Sequence, residues 1–172
     1  MIFLVEMVKH TPLWVWGVLI YVCYASYQQT RDRAARPVVM LVFPVLFFLL
    51  AAVRLARVEI TGPVLEGLAM GTIVAAGALL ALKPARGTTM EENGAYRIRS
   101  DYFAALLFPA TFVTFYVLAV LSAVDPSAKA GPAFQIVSGG ISSLSTSYTA
   151  FRVIAYFRTG KAAARRRLRQ TA

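Results

Sequence analysis

Long apolar runs separated by short polar segments dominate the chain. Five of these runs approach the roughly 20 residues that a helix needs to cross a bilayer, and none shows the strict alternation of a half-buried strand. They predict helices at about 12–28, 37–57, 64–82, 102–124 and 133–157, followed by a basic tail at 158–172. The pattern therefore predicts an all-α fold: a single domain, 1–172, built as a polytopic membrane bundle of about five transmembrane helices.

One sizeable polar insertion, ARGTTMEENGAYRIRSD, separates the third and fourth runs. Its Asn93-Gly94 pair is a strong signal for a two-residue hairpin turn. The flanking segments TTMEE and AYRIR have the length and residue types of short strands. Isolated hairpins are only marginally stable, so a short β-hairpin and an irregular loop are equal alternatives here.

Composition and charge indicate a membrane protein with a defined orientation. Hydrophobic residues make up 58% of the chain and charged residues only 15%, against about 25% charged in soluble domains. With five spans, thirteen of the Lys and Arg residues fall on one side and four on the other. Because basic residues near span ends favour the cytoplasm, we expect a bacterial inner-membrane protein with its N-terminus outside and its C-terminus inside.

The net charge of +10 and the run RRRLRQ raise the question of nucleic-acid binding. In a membrane protein the same run is explained by orientation and by attraction to anionic headgroups, worth about 1 kcal/mol per basic residue. We therefore expect the tail to contact anionic lipid and expect no nucleic-acid partner. A homo-oligomer is compatible with this sequence.

Residues for metal, redox or nucleophilic chemistry are scarce. Cys23 and His10 are the only cysteine and histidine, so no thiolate cluster or multi-histidine site can form within one chain. Catalytic signatures such as GxSxG and HExxH are absent from the sequence. We predict no enzyme activity, no catalytic residues, no cofactor and no metal.

The segment SGGISSLSTSYTAFR, residues 138–152, is unusually polar for the last predicted span. At 100° per residue, one face of this helix carries a polar stripe. The stripe comprises Ser138, Ser142, Ser145, Thr149, Arg152 and Tyr156. Ionisable residues within spans are costly and mark functional candidates, so the stripe is a candidate substrate pathway or pocket. The alternative is helix packing, with Arg152 reaching the inner headgroups.

Further polar candidates lie on other helices. Glu66 and Arg54 flank the short outer turn between the second and third spans, where an ion pair is plausible. Exposed pairs of this kind contribute little energy. Tyr21 and Tyr24 lie deep in the first span, where a phenol hydroxyl requires a partner. These four residues are further candidates for lining a pathway or pocket, with an inner aromatic belt as the alternative for the tyrosines.

Small residues recur at helical spacing on two predicted helices. Gly67, Gly71 and Ala75 lie on the third, and Gly139 and Ser143 on the fifth. Small residues let helices approach closely in lipid. We predict that these positions mediate helix packing, within the chain or against a partner.

The N-terminal segment HTPLWVWGVLIYVCYASYQQTRDR, followed by a basic loop and a proline that opens the second span, carries a family resemblance. His10, Thr11, Pro12, Trp14, Val15 and Gly17, an HTPxWVxG-type N-terminus, resemble a family of small, functionally uncharacterised proteobacterial inner-membrane proteins. The resemblance is loose over most of the chain. It implies an inner-membrane location and a five-helix layout, but no activity.

Two functional hypotheses follow. The first is a protein for transport or permeation of a small solute or of protons, favoured by Arg152, Glu66 and the deep hydroxyls together. The second is a non-transporting accessory or interaction protein that binds a lipid, an apolar cofactor or a partner protein through its small-residue faces.

Overall fold

A computed structural model describes residues 13–55, 60–91 and 94–171. The chain is mostly helical, which confirms the all-α prediction. The elements, in order, are α1 (Leu13–Gln29), β1 (Arg33–Ala35), α2 (Pro37–Leu55), α3 (Gly62–Leu82), β2 (Thr89–Met90), β3 (Tyr96–Ile98), α4 (Tyr102–Val124), a 3-10 turn (Pro126–Ala130) and α5 (Pro132–Thr171).

Local sequence signals account for several helix ends. Thr61 is the N-cap of α3 and is followed by a proline within the first turn, and Lys83 ends the helix in the left-handed conformation. Asp101 caps α4, where its carboxylate accepts a hydrogen bond from the Ala104 amide at 3.0 Å. The Asp101 side chain thereby satisfies a backbone N–H group that has no partner within the helix, whereas Thr61 makes no side-chain cap bond. The helix α4 occupies the same residues, 102–124, as the predicted fourth run.

The helix α5 is the central element of the bundle. It packs most extensively against α3 and also contacts α2, α4, β2 and β3, while α1 packs against α4. With 40 residues it is about 60 Å long at 1.5 Å per residue, twice the thickness of a hydrocarbon core. The helix therefore continues through the basic segment that the sequence analysis treats as a tail after the last span.

Of the two alternatives for the polar insertion, the β-hairpin is present, and it forms part of a larger sheet. Strand β3 pairs antiparallel with β2 on one side and with β1 on the other, giving the order β1-β3-β2. Gly94 has a positive φ of 77°, which glycine adopts without steric cost, whereas Asn93 lies outside the described residues. Strand β1, from the basic loop after α1, was not predicted.

The inner face of this sheet packs on α5. Tyr96 and Ile98, two residues apart and therefore on one face, are 3% and 5% exposed and form a core with Val153 and Tyr156 of α5. The Tyr96 ring also lies directly over Gly160, where a Cβ atom would collide with it. The sheet thus covers one end of the bundle and is held by α5.

The two predicted small-residue faces pack against each other inside the chain. A Cβ atom at Gly67 would collide with the carbonyl oxygen of Ile136, and one at Gly71 with that of Gly140. A Cβ at Gly139 would lie 2.9 Å from the carbonyl oxygen of Val64. These close backbone contacts form an interface between α3 and α5, which we call the seam. In the seam, each small-residue face is covered by the other helix.

Hydroxyl groups and Ala75 extend this seam. Ser143 Oγ lies 2.6 Å from Thr72 Oγ1 and donates to the Leu68 carbonyl at 2.7 Å. Ala75 is fully buried. All five positions predicted for helix packing therefore lie in contact regions of the bundle.

Two of the described helices, α3 and α4, are long and apolar enough to cross a membrane. Only 22% and 28% of their most apolar windows are buried, so these helices present apolar side chains outward, unlike the core helix of a soluble domain. The apolar part of α2, Pro37–Val53, is shorter.

Candidate functional site

A buried ion pair lies at the end of the bundle that carries the sheet. Arg152 Nη1 of α5 and Asp101 Oδ2 are 3.0 Å apart, and their side chains are 6% and 4% exposed. The same carboxylate accepts a hydrogen bond from the Tyr148 hydroxyl at 2.9 Å. Asp101 thus caps α4 and receives two side-chain donors from successive turns of α5.

Two loop segments bring the end of α1 to this ion pair. The Asp101 amide donates to the Gln29 carbonyl at 2.8 Å, and the Ser100 amide donates to Asp32 Oδ1 at 2.8 Å. The side-chain oxygen of Gln29 accepts from Arg152 Nη1 at 3.3 Å and from Arg33 Nη2 at 3.1 Å. Gln29 therefore joins both guanidinium groups through one amide oxygen.

Three buried polar atoms of this cluster have no hydrogen-bond partner. They are Gln29 Nε2, Arg152 Nε and the Tyr156 hydroxyl oxygen. Their residues are 5%, 5% and 2% exposed. Buried polar groups are paired in the great majority of cases, so three unpartnered atoms in one cluster indicate a place for a ligand or for water.

These three residues line a cavity of about 40 Å³ together with Arg33. The rest of its wall is apolar and comes from Ala35 of β1, Val39 and Met40 of α2, Ile98 of β3 and Val153 of α5. Every one of those elements converges on the bundle end beneath the sheet. We call the space lined by these four polar and five apolar residues the inner cavity.

The inner cavity has an excess of positive charge. Among the buried and half-buried groups, Arg33 and Arg152 carry two positive charges and Asp101 supplies one negative charge, whereas Asp32 is exposed. Burial, and secondly the charge of Arg152, lower the pKa of the Arg33 guanidinium below its usual value. An anion in the cavity would relieve the repulsion between the two guanidinium groups.

The predicted polar stripe is divided between the cavity and the helix interior. Arg152 and Tyr156 line the inner cavity, while Ser145 and Thr149 are 1% and 0% exposed and lie further along α5. Ser145 Oγ is 2.6 Å from Thr111 Oγ1 of α4, and Thr149 Oγ1 donates to the Ser145 carbonyl at 2.7 Å. These hydroxyls are satisfied by packing partners, and Ser138 and Ser142 are half-buried. The alternative in which Arg152 reaches the headgroups is wrong, because its side chain is buried and paired with Asp101.

Other predicted pocket residues lie away from the inner cavity. Tyr21 and Tyr24 are 61% and 59% exposed on the outer face of α1, so they do not line it. Glu66 is exposed on α3, and the side chain of Arg54, its predicted partner, lies outside the described part of the chain. In the parts of the chain that the structure describes, Arg152 pairs with Asp101, which sequence reasoning had not considered.

Sequence analysis also missed Gln29, Arg33 and Tyr148. The available signal was depth in the membrane: Asp101 directly precedes the fourth predicted run and Gln29 directly follows the first, both on the basic side where Arg152 also lies. Matching polar residues by their distance from that side would have grouped them. Within residues 13–55, 60–91 and 94–171, no cluster of three His, Cys, Asp or Glu residues is suited to a metal ion.

Comparison of the chain with protein-family models, with curated proteins and with solved structures gives no match.

Proposed function

We propose that this protein is a multi-pass protein of the bacterial inner membrane that binds a small solute in the inner cavity, as part of transport or permeation. The observation that carries the proposal is the group of three buried, unpartnered polar atoms on residues that line one cavity beside an ion pair. Packing alone does not require such atoms, because each unpartnered group costs about 1–3 kcal/mol.

The membrane location is supported by helix length and by charge. Apolar surfaces face outward on α3 and α4, and the positive-inside rule assigns the sheet-bearing end to the cytoplasm. Arg33, Arg97 and Arg158 all lie near that end. The inner cavity would then open toward the cytoplasmic side of the bundle.

The buried ion pair supports a functional role for the same place. Removing two charges from water costs several kcal/mol per ion even after relaxation, and charged groups within membrane bundles commonly mark solute paths. Arg152 has Asp101 and Tyr148 as partners, so its charge is compensated, while its Nε atom is still available to a solute.

A non-transporting role is the second candidate, and one observation favours it. Beyond the cavity, Thr111 and Ser145 bond to each other and to carbonyls of their own helices. A solute path through this region would require α4 and α5 to separate there. The small-residue faces no longer support a partner role, because the seam between α3 and α5 covers them.

Electrical measurement on proteoliposomes adsorbed to a solid-supported membrane separates the two candidates. Concentration jumps of sodium acetate, sodium chloride or protons should produce a protein-dependent current for at least one of them. The double variant Arg152→Gln/Asp101→Asn leaves the net charge of the cluster unchanged and should abolish the current, whereas the control Arg158→Gln, an exposed position on α5, should retain it. Absence of any current with the unmodified protein would reject transport of these solutes in favour of the non-transporting role.

A further inference from the structure

We propose that the ligand of the inner cavity is a short monocarboxylate of about the size of acetate, held by Arg33, Arg152, Gln29 and Tyr156. This inference rests on the proposed function, since it names the solute class for the same site. Four properties of the cavity support it: the unpartnered hydrogen-bond donors, the positive charge, the volume and the apolar wall.

The unpartnered atoms are donors. Arg152 Nε–H and the Gln29 amide NH₂ can only donate hydrogen bonds, and the Tyr156 hydroxyl can donate one. A ligand that satisfies all three must therefore offer several acceptor positions close together. A carboxylate does so, because each of its two oxygens accepts more than one hydrogen bond.

The charge balance favours a single negative charge. Of the two guanidinium groups, Arg152 is paired with Asp101 and Arg33 bonds to Gln29, so one further negative charge balances these three charged residues. The second guanidinium, Arg33, is partly buried and is disfavoured by the charge of Arg152. A monoanion would offset that repulsion, whereas a divalent anion would leave an excess negative charge in a buried site.

The size and wall of the cavity favour an organic anion. A cavity needs at least about 10–15 Å³ to hold one water, so a volume of about 40 Å³ suits an anion of only a few non-hydrogen atoms, such as acetate. Met40, Ile98 and Val153 line the same cavity as the donors. An apolar wall gains from contact with a methyl group but offers nothing to a halide ion.

Thermal unfolding of the full-length protein in mild detergent provides the test. Ligand binding to the folded state raises the unfolding temperature in a saturable, concentration-dependent manner. Sodium acetate should stabilise the unmodified protein more than sodium chloride at equal ionic strength and pH. Arg33→Gln and Tyr156→Phe should each weaken acetate binding by about tenfold or more, because each removes a hydrogen bond to a charged group.

Two matched variants control for net charge and for ring chemistry. Arg36→Gln makes the same charge change three residues from Arg33 at an exposed position, and Tyr102→Phe removes an exposed hydroxyl. Both should bind acetate as the unmodified protein does. Tyr156→Phe removes a single oxygen that has no hydrogen-bond partner, so it tests the site even if Arg33→Gln folds poorly.

The outcomes separate this inference from the proposed function. Equal stabilisation by chloride and acetate, or unchanged acetate binding in Tyr156→Phe, would overturn the carboxylate site. Acetate binding without any proteoliposome current would support the site and reject transport of the bound solute. A chloride or proton current without acetate binding would support transport and overturn the carboxylate site.

Discussion

Gly71 and Gly77 lie on the same helix, α3, but in opposite environments, and this contrast gives a sharp test of the fold. An added Cβ at Gly71 would collide with the Gly140 carbonyl and would lie 2.9 Å from the Leu144 amide nitrogen. These are backbone atoms of α5, so no side chain can move aside to make room. An added Cβ at Gly77 meets nothing within 4 Å.

The expected magnitudes follow from this difference. Replacing a mid-helix glycine by alanine stabilises by about 0.5–1 kcal/mol when the new methyl group has space, and Gly77→Ala should show that gain. Gly71→Ala gains the same helical preference but forces α3 away from α5, an overpacking that costs about 1–3 kcal/mol. The free energies of unfolding of the two variants should therefore differ by about 1–3 kcal/mol.

Equilibrium unfolding in mixed micelles with increasing SDS, followed by circular dichroism, measures this difference. Because both substitutions are Gly→Ala on the same helix, the change in helix propensity and the effect of the detergent are the same for the two variants and cancel in the comparison. Gly71→Ala at least as stable as Gly77→Ala would refute the close approach of α3 and α5. A variant Gly71→Ala that folds normally but loses self-association would instead place the glycine face between copies of the chain.

Three further predictions concern the cluster, the sheet and the 3-10 turn. Asp101→Asn should destabilise the fold by about 3–5 kcal/mol, because it leaves a buried guanidinium uncompensated, and adding Arg152→Gln should recover part of this loss in the same unfolding assay. Tyr96→Ala should cost about 3–5 kcal/mol by removing a buried ring between the sheet and α5, again measured by unfolding. Hydrogen bonds from Ser127 lower the pKa of the Asp125 carboxyl. The stability that these bonds contribute is therefore fully present above the usual Asp pKa and is lost as pH falls through the lowered pKa. Ser127→Ala should raise the Asp125 pKa in a carboxyl ¹³C NMR titration.

Much of the fold is encoded in short-range patterns. The length of the apolar runs predicts the helices, since each helix satisfies its own backbone groups. Asn93-Gly94 favours a hairpin at this place, but the two-residue turn is wrong: the pairing of Met90 with Tyr96 and the bond from the Glu91 amide to the Ala95 carbonyl leave three residues, 92–94, in the connection. Strand β1 was not predicted, because the segment Arg33–Ala35 is short and shows no alternation of polar and apolar residues. It is a strand because β3 offers it a free edge.

The candidate site depends on long-range pairing, which spacing along one helix does not encode. The polar stripe identified Arg152 and Tyr156, because both belong to one face of α5. Their partners come from three other segments that are distant in sequence, so Asp101 and Gln29 were not found. The predicted pocket tyrosines of α1 face outward because α1 packs on α4 through its opposite side.

The continuation of α5 has a simple cause in sequence. Beyond residue 157 the chain contains several Ala, Arg and Lys residues, which are good helix formers. A change from apolar to basic residues marks the point where a span would leave the hydrocarbon region, but it does not end the helix.

The proposed site requires Arg152 to present its unpartnered Nε–H to a small solute in the inner cavity. NMR of the detergent-solubilised protein labelled with ¹⁵N at arginine Nε tests this directly, with the Arg152 signal assigned by its absence from Arg152→Lys. The account predicts a saturable shift of the Arg152 signal on addition of sodium acetate, while the signal of the exposed Arg36 stays in place. An Arg152 signal that does not respond, or that moves only as much as that of Arg36, would contradict it.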